Sequence, residues 1–315
     1  MSSAVTGIPT RIYVPNSRSG TVDVIDPRTY KVIAHYRTGV APHHVTPSWD
    51  LRHLYVDDIY ANTLTVIDPK SGKPTGKIPV ADPYNVYFTP DGSTAIVVAE
   101  RYQRLDFRDP RTWKTTRSVA IPFAGPDHLD FSPDGSFLMI SCEYSGYVCK
   151  VDVAEGQVVG KVKVGGLPVD VKLSPDGRFF CVANQGTNGV SVVDPISMRQ
   201  VRFLRTGRGT HGLAISRDGQ ALYASNRLNG TISVISFQEL AVIATWHVGG
   251  SPDMMQVSAD GRRLWTSNRF NRSVSVIDTT TGRLLHTIAV GSSPHGLALF
   301  PQPGRFCVGH NGVYR

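Results

Sequence analysis

The six residues VIDPRT at 24–29 return as VIDPKS at 66–71, VVDPIS at 192–197 and VIDTTT at 276–281. Their shared aspartate marks a register that runs Asp26, Asp68, Asp109, Asp152, Asp194, then Ser236 in its place, then Asp278. The intervals are 42, 41, 43, 42, 42 and 42 residues. Seven copies at so even a period define a repeat architecture, in which each unit buries its apolar face against the next.

Two further markers run in phase with the first. One is the turn Ser-Pro-Asp-Gly at 132–135 and 174–177, with relatives at 89–92, 216–219 and 258–261. Asp-Gly suits a tight turn because glycine accepts a positive φ. The other is a proline ahead of each turn: Pro42, Pro83, Pro126, Pro168, Pro252 and Pro294, with Thr210 in the fifth copy. Between these prolines the pattern predicts four short strands, rich in Val, Ile and Tyr and bounded by turn residues. In the unit 42–80 they are His44–Pro47, Leu54–Asp58, Leu64–Asp68 and Lys77–Val80. Four antiparallel strands every ~40–45 residues make a propeller blade. The expectation is an all-β, seven-bladed β-propeller, a single domain over residues 1–315. The chain opens on a second-strand pattern, Arg11–Asn16, and nears its end on a first-strand pattern, Gly296–Phe300. Strands from both termini should therefore close the ring. Phe306–His310 also reads as a second strand, so two segments compete for one place.

Composition agrees with this reading. Of the 315 residues 30 are Gly and 21 Pro, with 41% hydrophobic and 18% charged, which excludes a disordered chain, a coiled coil or a collagen-like fibre. No apolar run approaches the roughly 20 residues a membrane helix needs, and no basic, then apolar leader opens the chain. As it stands the sequence reads as cytoplasmic; an exported protein with its leader removed would look the same. A closed ring has few free edges, so a monomer is expected. The net charge is +8, but Lys and Arg are spread along the chain. Their densest group, Arg101, Arg104, Arg108 and Arg111, is interrupted by acids, which argues against a nucleic-acid partner. The cysteines at 142, 149, 181 and 307 form no CxxC pair. They read as small apolar core residues, with a Cys142–Cys149 bridge across one hairpin as the alternative.

The strings ALYASNR at 221–227 and RLWTSNR at 263–269, the SPDG turns and PHG at 294–296 resemble the YVTN family of seven-bladed propellers. The resemblance covers essentially the whole chain and implies the fold; that family's roles are too scattered to imply an activity. The stretch GPDHLDFSPDG at 125–135 is similar, more loosely, to propellers related to the cytochrome d1 domain and to the six-phosphogluconolactonase group.

Each first strand starts, and each second strand ends, at the same face of the ring, because neighbouring strands are antiparallel. The first residue after the proline marker reads His43, Tyr84, Asp127, Val169, His211, Asp253 and His295 around the ring. The second reads His44, Asn85, His128, Asp170, Gly212, Met254 and Gly296. Five of the ten histidines fall in these two columns. Second strands end at Asn16, Asp58, Glu100, Glu143, Asn184, Asn226 and Asn268, with Arg227 and Arg269 following two of the asparagines. One arc of the mouth is thus acidic and the opposite arc carries arginines.

These columns support a small-molecule pocket at one mouth of the channel. His43, His44, His128, His211 and His295 are candidate ligands for a transition metal, since neutral imidazole suits iron, copper and zinc alike. Glu100, Glu143 and Asp127 are candidate acids and bases, because neighbouring carboxylates raise one another's pKa. Arg227 and Arg269 could grip a carboxylate or phosphate, with Tyr84, Asp170 and Asp253 as further ligand contacts. If chemistry occurs there, it would be metal-assisted, or a metal-free, lactonase-like hydrolysis of the kind the looser resemblance implies. The alternative is a non-catalytic ring that binds a protein, cell-wall or tetrapyrrole partner through Tyr60, Tyr102, Tyr144 and Phe270 in its loops. On that reading the histidines only bond neighbouring backbone. No HExxH, GxSxG or glycine-rich phosphate loop is present.

Overall fold

The structure, a computed structural model, describes residues 1–303. Seven four-stranded antiparallel sheets stand around a central channel. Blade 1 comprises Pro42–Pro47, Leu54–Asp58, Thr63–Asp68 and Lys73–Pro79, ordered from the channel outward. Blades 2 to 6 open on Asn85–Phe88, Pro126–Phe131, Pro168–Leu173, Thr210–Ile215 and Pro252–Val257. Blade 7 combines Ala298–Phe300 with Arg11–Asn16, Thr21–Asp26 and Lys31–Arg37, so both ends of the described chain close the ring. Arg11 faces Phe300 and Tyr13 faces Ala298. Arg11–Asn16 therefore holds the place for which two segments competed; Phe306–His310 lies outside the described residues.

The outermost strand departs from the expected bounds. It runs Lys73–Pro79 rather than Lys77–Val80, and the innermost begins at Pro42 rather than His44. The outer sequence, KPTGKIP, has two prolines and a glycine and is largely exposed, so it lacks the apolar alternation that marks a strand. An edge strand tolerates proline because one side of it needs no donors. Apolar clusters join neighbouring blades. Tyr87, Phe107, Phe131 and Leu138, for example, are buried together between blades 2 and 3. Cys142 and Cys149 are free thiols in that same cluster, with sulfurs 3.8 Å apart, so the hairpin bridge is not formed. At the opposite mouth, where first strands turn into second strands, Ser132 and Ser174 donate to Asp134 and Asp176 of their own turns at 2.6 Å. Gly135 and Gly177 sit at φ +73° against Pro90 and Pro133 of the preceding blades.

One irregularity recurs where the blades meet the channel. Pro42 pairs with Asp58 and Val45 with Val56, so His43 and His44 together oppose the single residue Asp57. The same bulge sets Asp127 and His128 against Ser141, Val169 and Asp170 against Ala183, His211 and Gly212 against Ser225, and Asp253 and Met254 against Ser267. A regular strand would send consecutive side chains to opposite faces. The bulge re-aims them, so that residues of both post-proline columns, His43 and His44 among them, meet His295 at the channel. Ser141, Ser225 and Ser267 donate from this position to the carbonyls of Val169, Asp253 and His295 in the next blade.

Candidate functional site

The bulges gather the two columns into a buried polar layer below one mouth. Asp253 is its hub. Oδ1 accepts from Arg227 Nε at 3.1 Å and from Arg227 Nη2, and lies 2.8 Å from His211 Nδ1. Oδ2 lies 2.7 Å from His295 Nδ1 and 3.8 Å from Arg269 Nη1. Burial opposes ionisation of this carboxyl, but Arg227, with the His211 and His295 rings, overcomes it and holds Asp253 well below the usual carboxylate range.

The histidines respond to burial in the opposite sense. His43, His44 and His295 are held well below the ordinary imidazole range, first by burial, and His128 and His211 are pushed down to about 4. All five are therefore neutral at pH 7, the form that binds metals. The His43 and His295 rings stack 3.9 Å apart, His44 stands 4.8 Å from both, and His128 meets His44 edge-on at 5.1 Å. Gly296 makes this approach possible: a Cβ there would lie 2.4 Å from His44 Nδ1. One ligand atom each from His43, His44 and His295 lies within 4.8 Å of the others, and the same holds for His211, Asp253 and His295. Nε2 of His43 and Nε2 of His295 are buried and make no hydrogen bond.

Above this layer opens a cavity of about 750 Å³. Tyr84, Glu100, Asp127, Glu143 and Tyr144 line it from blades 2 and 3, Arg227 and Arg269 from blades 5 and 6, and His43, His211 and His295 reach its floor. Asp127 bonds His128 Nδ1. Burial, opposed in part by Tyr84, raises the Asp127 carboxyl well above its usual range. Burial and then Asp127 push Glu100 to about 7 and Glu143 to about 8. At pH 7 Glu143 is thus largely protonated and Glu100 about half so, and each can donate a hydrogen bond in its protonated form. An infrared pH titration should show carboxylic-acid absorption lost near pH 7 to 8. The Glu100→Gln/Glu143→Gln variant should lack that step; ionisation complete below about pH 5, as for ordinary glutamates, would contradict it.

The structure thus brings together most of the residues the sequence singles out, at two depths. Nine reach the cavity, whereas His44, His128 and Asp253 lie beneath it. His128 belongs to neither three-residue ligand group. Asp170 lies away from the cavity and accepts from Val171 N and Leu213 N, joining blades 4 and 5. The asparagines that end second strands do more than cap a turn: Asn226 Nδ2 reaches Thr231 and Ser233 at 3.0 Å while its Oδ1 accepts from Gly207 N. Arg18, Arg272 and Gln185 also stand at this mouth, and sequence reasoning missed all three. The first two follow Asn16 and Asn268 by two and four residues, so extending the strand-end columns into the loops would have found them.

Fold and site together define a seven-bladed β-propeller with a polar pocket over a histidine layer at one mouth of its channel. The chain belongs to the YNCE-like beta-propeller family, whose model matches residues 2–303. Among solved structures it is similar to hydrazine synthase of Kuenenia stuttgartiensis, at 23% identity and TM-score 0.76, over 85% of this chain and 92% of that one. The dihydro-heme d1 dehydrogenase NirN, solved in complex with DHE, is 16% identical with TM-score 0.72, over 93% of this chain and 75% of that one. A functionally unknown protein from Desulfotomaculum acetoxidans DSM 771 is 18% identical with TM-score 0.79, over 92% and 98%. At these identities the likeness is one of fold. No curated protein sequence matches the chain. Among the described residues no helix is long and apolar enough to cross a membrane.

Proposed function

We propose that this propeller binds a small molecule in the mouth cavity, above a transition metal held by the histidine layer. The observation that carries the reading is the pair of buried, unbonded Nε2 atoms on the stacked His43 and His295 rings. A buried polar atom left without a partner costs roughly 1–3 kcal/mol, and a metal ion is one partner that would remove the cost. The donor chemistry fits: the imidazoles are neutral, and Asp253 bonds the far nitrogen of His295, the arrangement that orients metal-bound histidines. His43, His44 and His295 would hold the ion, with His211 and Asp253 as the adjoining set. Zinc, copper or iron all suit such a site. A bound metal would polarise a ligand oxygen or lower the pKa of a bound water. The remaining groups supply hydrogen-bond donors on the Glu100 and Glu143 side and guanidinium groups on the other.

The test is metal content, by mass spectrometry, of protein purified without a His-tag and without chelator. Close to one metal per chain is expected, lost in the His43→Ala/His295→Ala variant while the β-sheet circular dichroism persists. No stoichiometric metal under any loading condition would remove the metal and favour a metal-free pocket.

A further inference from the structure

We propose that the cavity selects a flat, aromatic carboxylate, with its anionic end against Arg18, Arg269 and Arg272 and its uncharged body among Tyr60, Tyr144 and Phe270. This inference rests on the cavity being a small-molecule site. It does not require the metal.

The four arginines of the cavity come from three consecutive blades, Arg227 from blade 5, Arg269 and Arg272 from blade 6 and Arg18 from blade 7. They are not equivalent. Arg227 spends its fork on protein, with Nε and Nη2 on Asp253 and Nη1 on Gln185 at 3.1 Å, so it is a positioning residue. Arg269 keeps Nη1 buried without a hydrogen bond, 3.8 Å from Asp253. Arg18 and Arg272 are exposed and form no ion pair among the described residues. On this arc Asp253 is the carboxylate that the arginines meet, and Arg227 already occupies it. The facing arc offsets this charge only in part, because burial pushes the Glu143 carboxyl to about 8 and that of Glu100 to about 7. The result is a one-sided cationic cavity with uncommitted planar donors, which matches a carboxylate's two coplanar oxygens. A phosphate would bring a second negative charge close to Asp253. The body of the ligand is indicated by the rim, where Tyr60, Tyr144 and Phe270 are each 63% exposed around the cavity. Exposed aromatic faces of this kind bind flat apolar groups.

The probes are 2-naphthoate, its neutral analogue 2-naphthamide and inorganic phosphate. Each is titrated calorimetrically into chelator-treated protein and into zinc-loaded protein. Naphthoate should bind the chelator-treated protein, with the amide and phosphate each at least about tenfold weaker, a difference of ~1.4 kcal/mol. The Arg18→Gln/Arg272→Gln variant, altered only at exposed positions, should lose a similar factor, and Arg269→Gln should lose it as well. Equal binding of acid and amide, tighter binding of phosphate, or an undiminished Arg18→Gln/Arg272→Gln variant would overturn the proposal. Naphthoate binding that appears only after zinc loading would overturn it too, while supporting the metal. Naphthoate binding to a protein that takes up no zinc would support the arginines and remove the metal instead. Failure of every probe on both forms would overturn the carboxylate reading whatever the metal content.

Discussion

Asp253→Ala should lower the free energy of unfolding by about 3–5 kcal/mol, the usual cost of removing one partner from a buried charge pair. Asp253 is fully buried, and four side chains from three blades converge on it: Arg227 and His211 of blade 5, Arg269 of blade 6 and His295 of blade 7. Alanine would strand the Arg227 guanidinium, whose side chain is 11% exposed, without its counter-charge. It would also leave His295 Nδ1 without its partner and remove the carboxylate 2.8 Å from His211 Nδ1. Urea unfolding should show the midpoint falling, with Asp253→Asn intermediate because the amide keeps one acceptor. If the metal reading holds, either variant should also weaken metal affinity, by about 10–100-fold, since the carboxylate orients the ring of His295. A loss of under about 1 kcal/mol in Asp253→Ala would mean that the hub contributes little to the closed ring.

The second large effect runs the other way. Asp57→Ser should stabilise the protein by about 1–3 kcal/mol at pH 7, the cost of an unsatisfied buried polar group. Asp57 occupies the position at which Ser141, Ser225 and Ser267 bond the next blade's carbonyl, yet neither of its carboxylate oxygens makes a hydrogen bond. Burial, and then Asp58, raise its pKa well above the usual range. The folded protein thus keeps a proton that the unfolded chain releases near pH 4. Wild-type stability is lost on this account as pH rises from about 4 toward the folded pKa, so the gain from Asp57→Ser should grow with pH over that window. The buried histidines shift stability in the opposite direction, losing it as pH falls below about 6.5. They are common to both proteins and cancel in the difference. Urea unfolding at a series of pH values measures it. A gain that is flat with pH, or a loss, would show that Asp57 is satisfied in the folded state.

Much of this was legible in the sequence because repetition is a linear property. The 42-residue interval, the turn glycines and the proline marker each recur in order along the chain, and together they give blade number, strand order and the face on which the histidines gather. The outer strand is illegible for the converse reason: KPTGKIP is a strand only because Thr63–Asp68 offers it a partner. His295 and Asp253 were separate column members in the sequence. Their contact at 2.7 Å depends on how neighbouring blades pack.

Repetition along the chain specifies the seven-bladed ring, strands from near both termini to close it, and the histidine, carboxyl and arginine columns of one mouth. The depth and charge of those columns come from how the blades pack. Bulges opposite Asp57, Ser141, Ala183, Ser225 and Ser267 break the strand alternation, and those opposite Asp57 and Ser141 bring His43, His44 and His128 together with His295. Burial there leaves the histidines neutral and raises the two glutamates to about 7 and 8, while Arg227 holds Asp253 below the usual carboxylate range. Protonation depends on the distance to water and to other charges, and those distances exist only once the ring has closed.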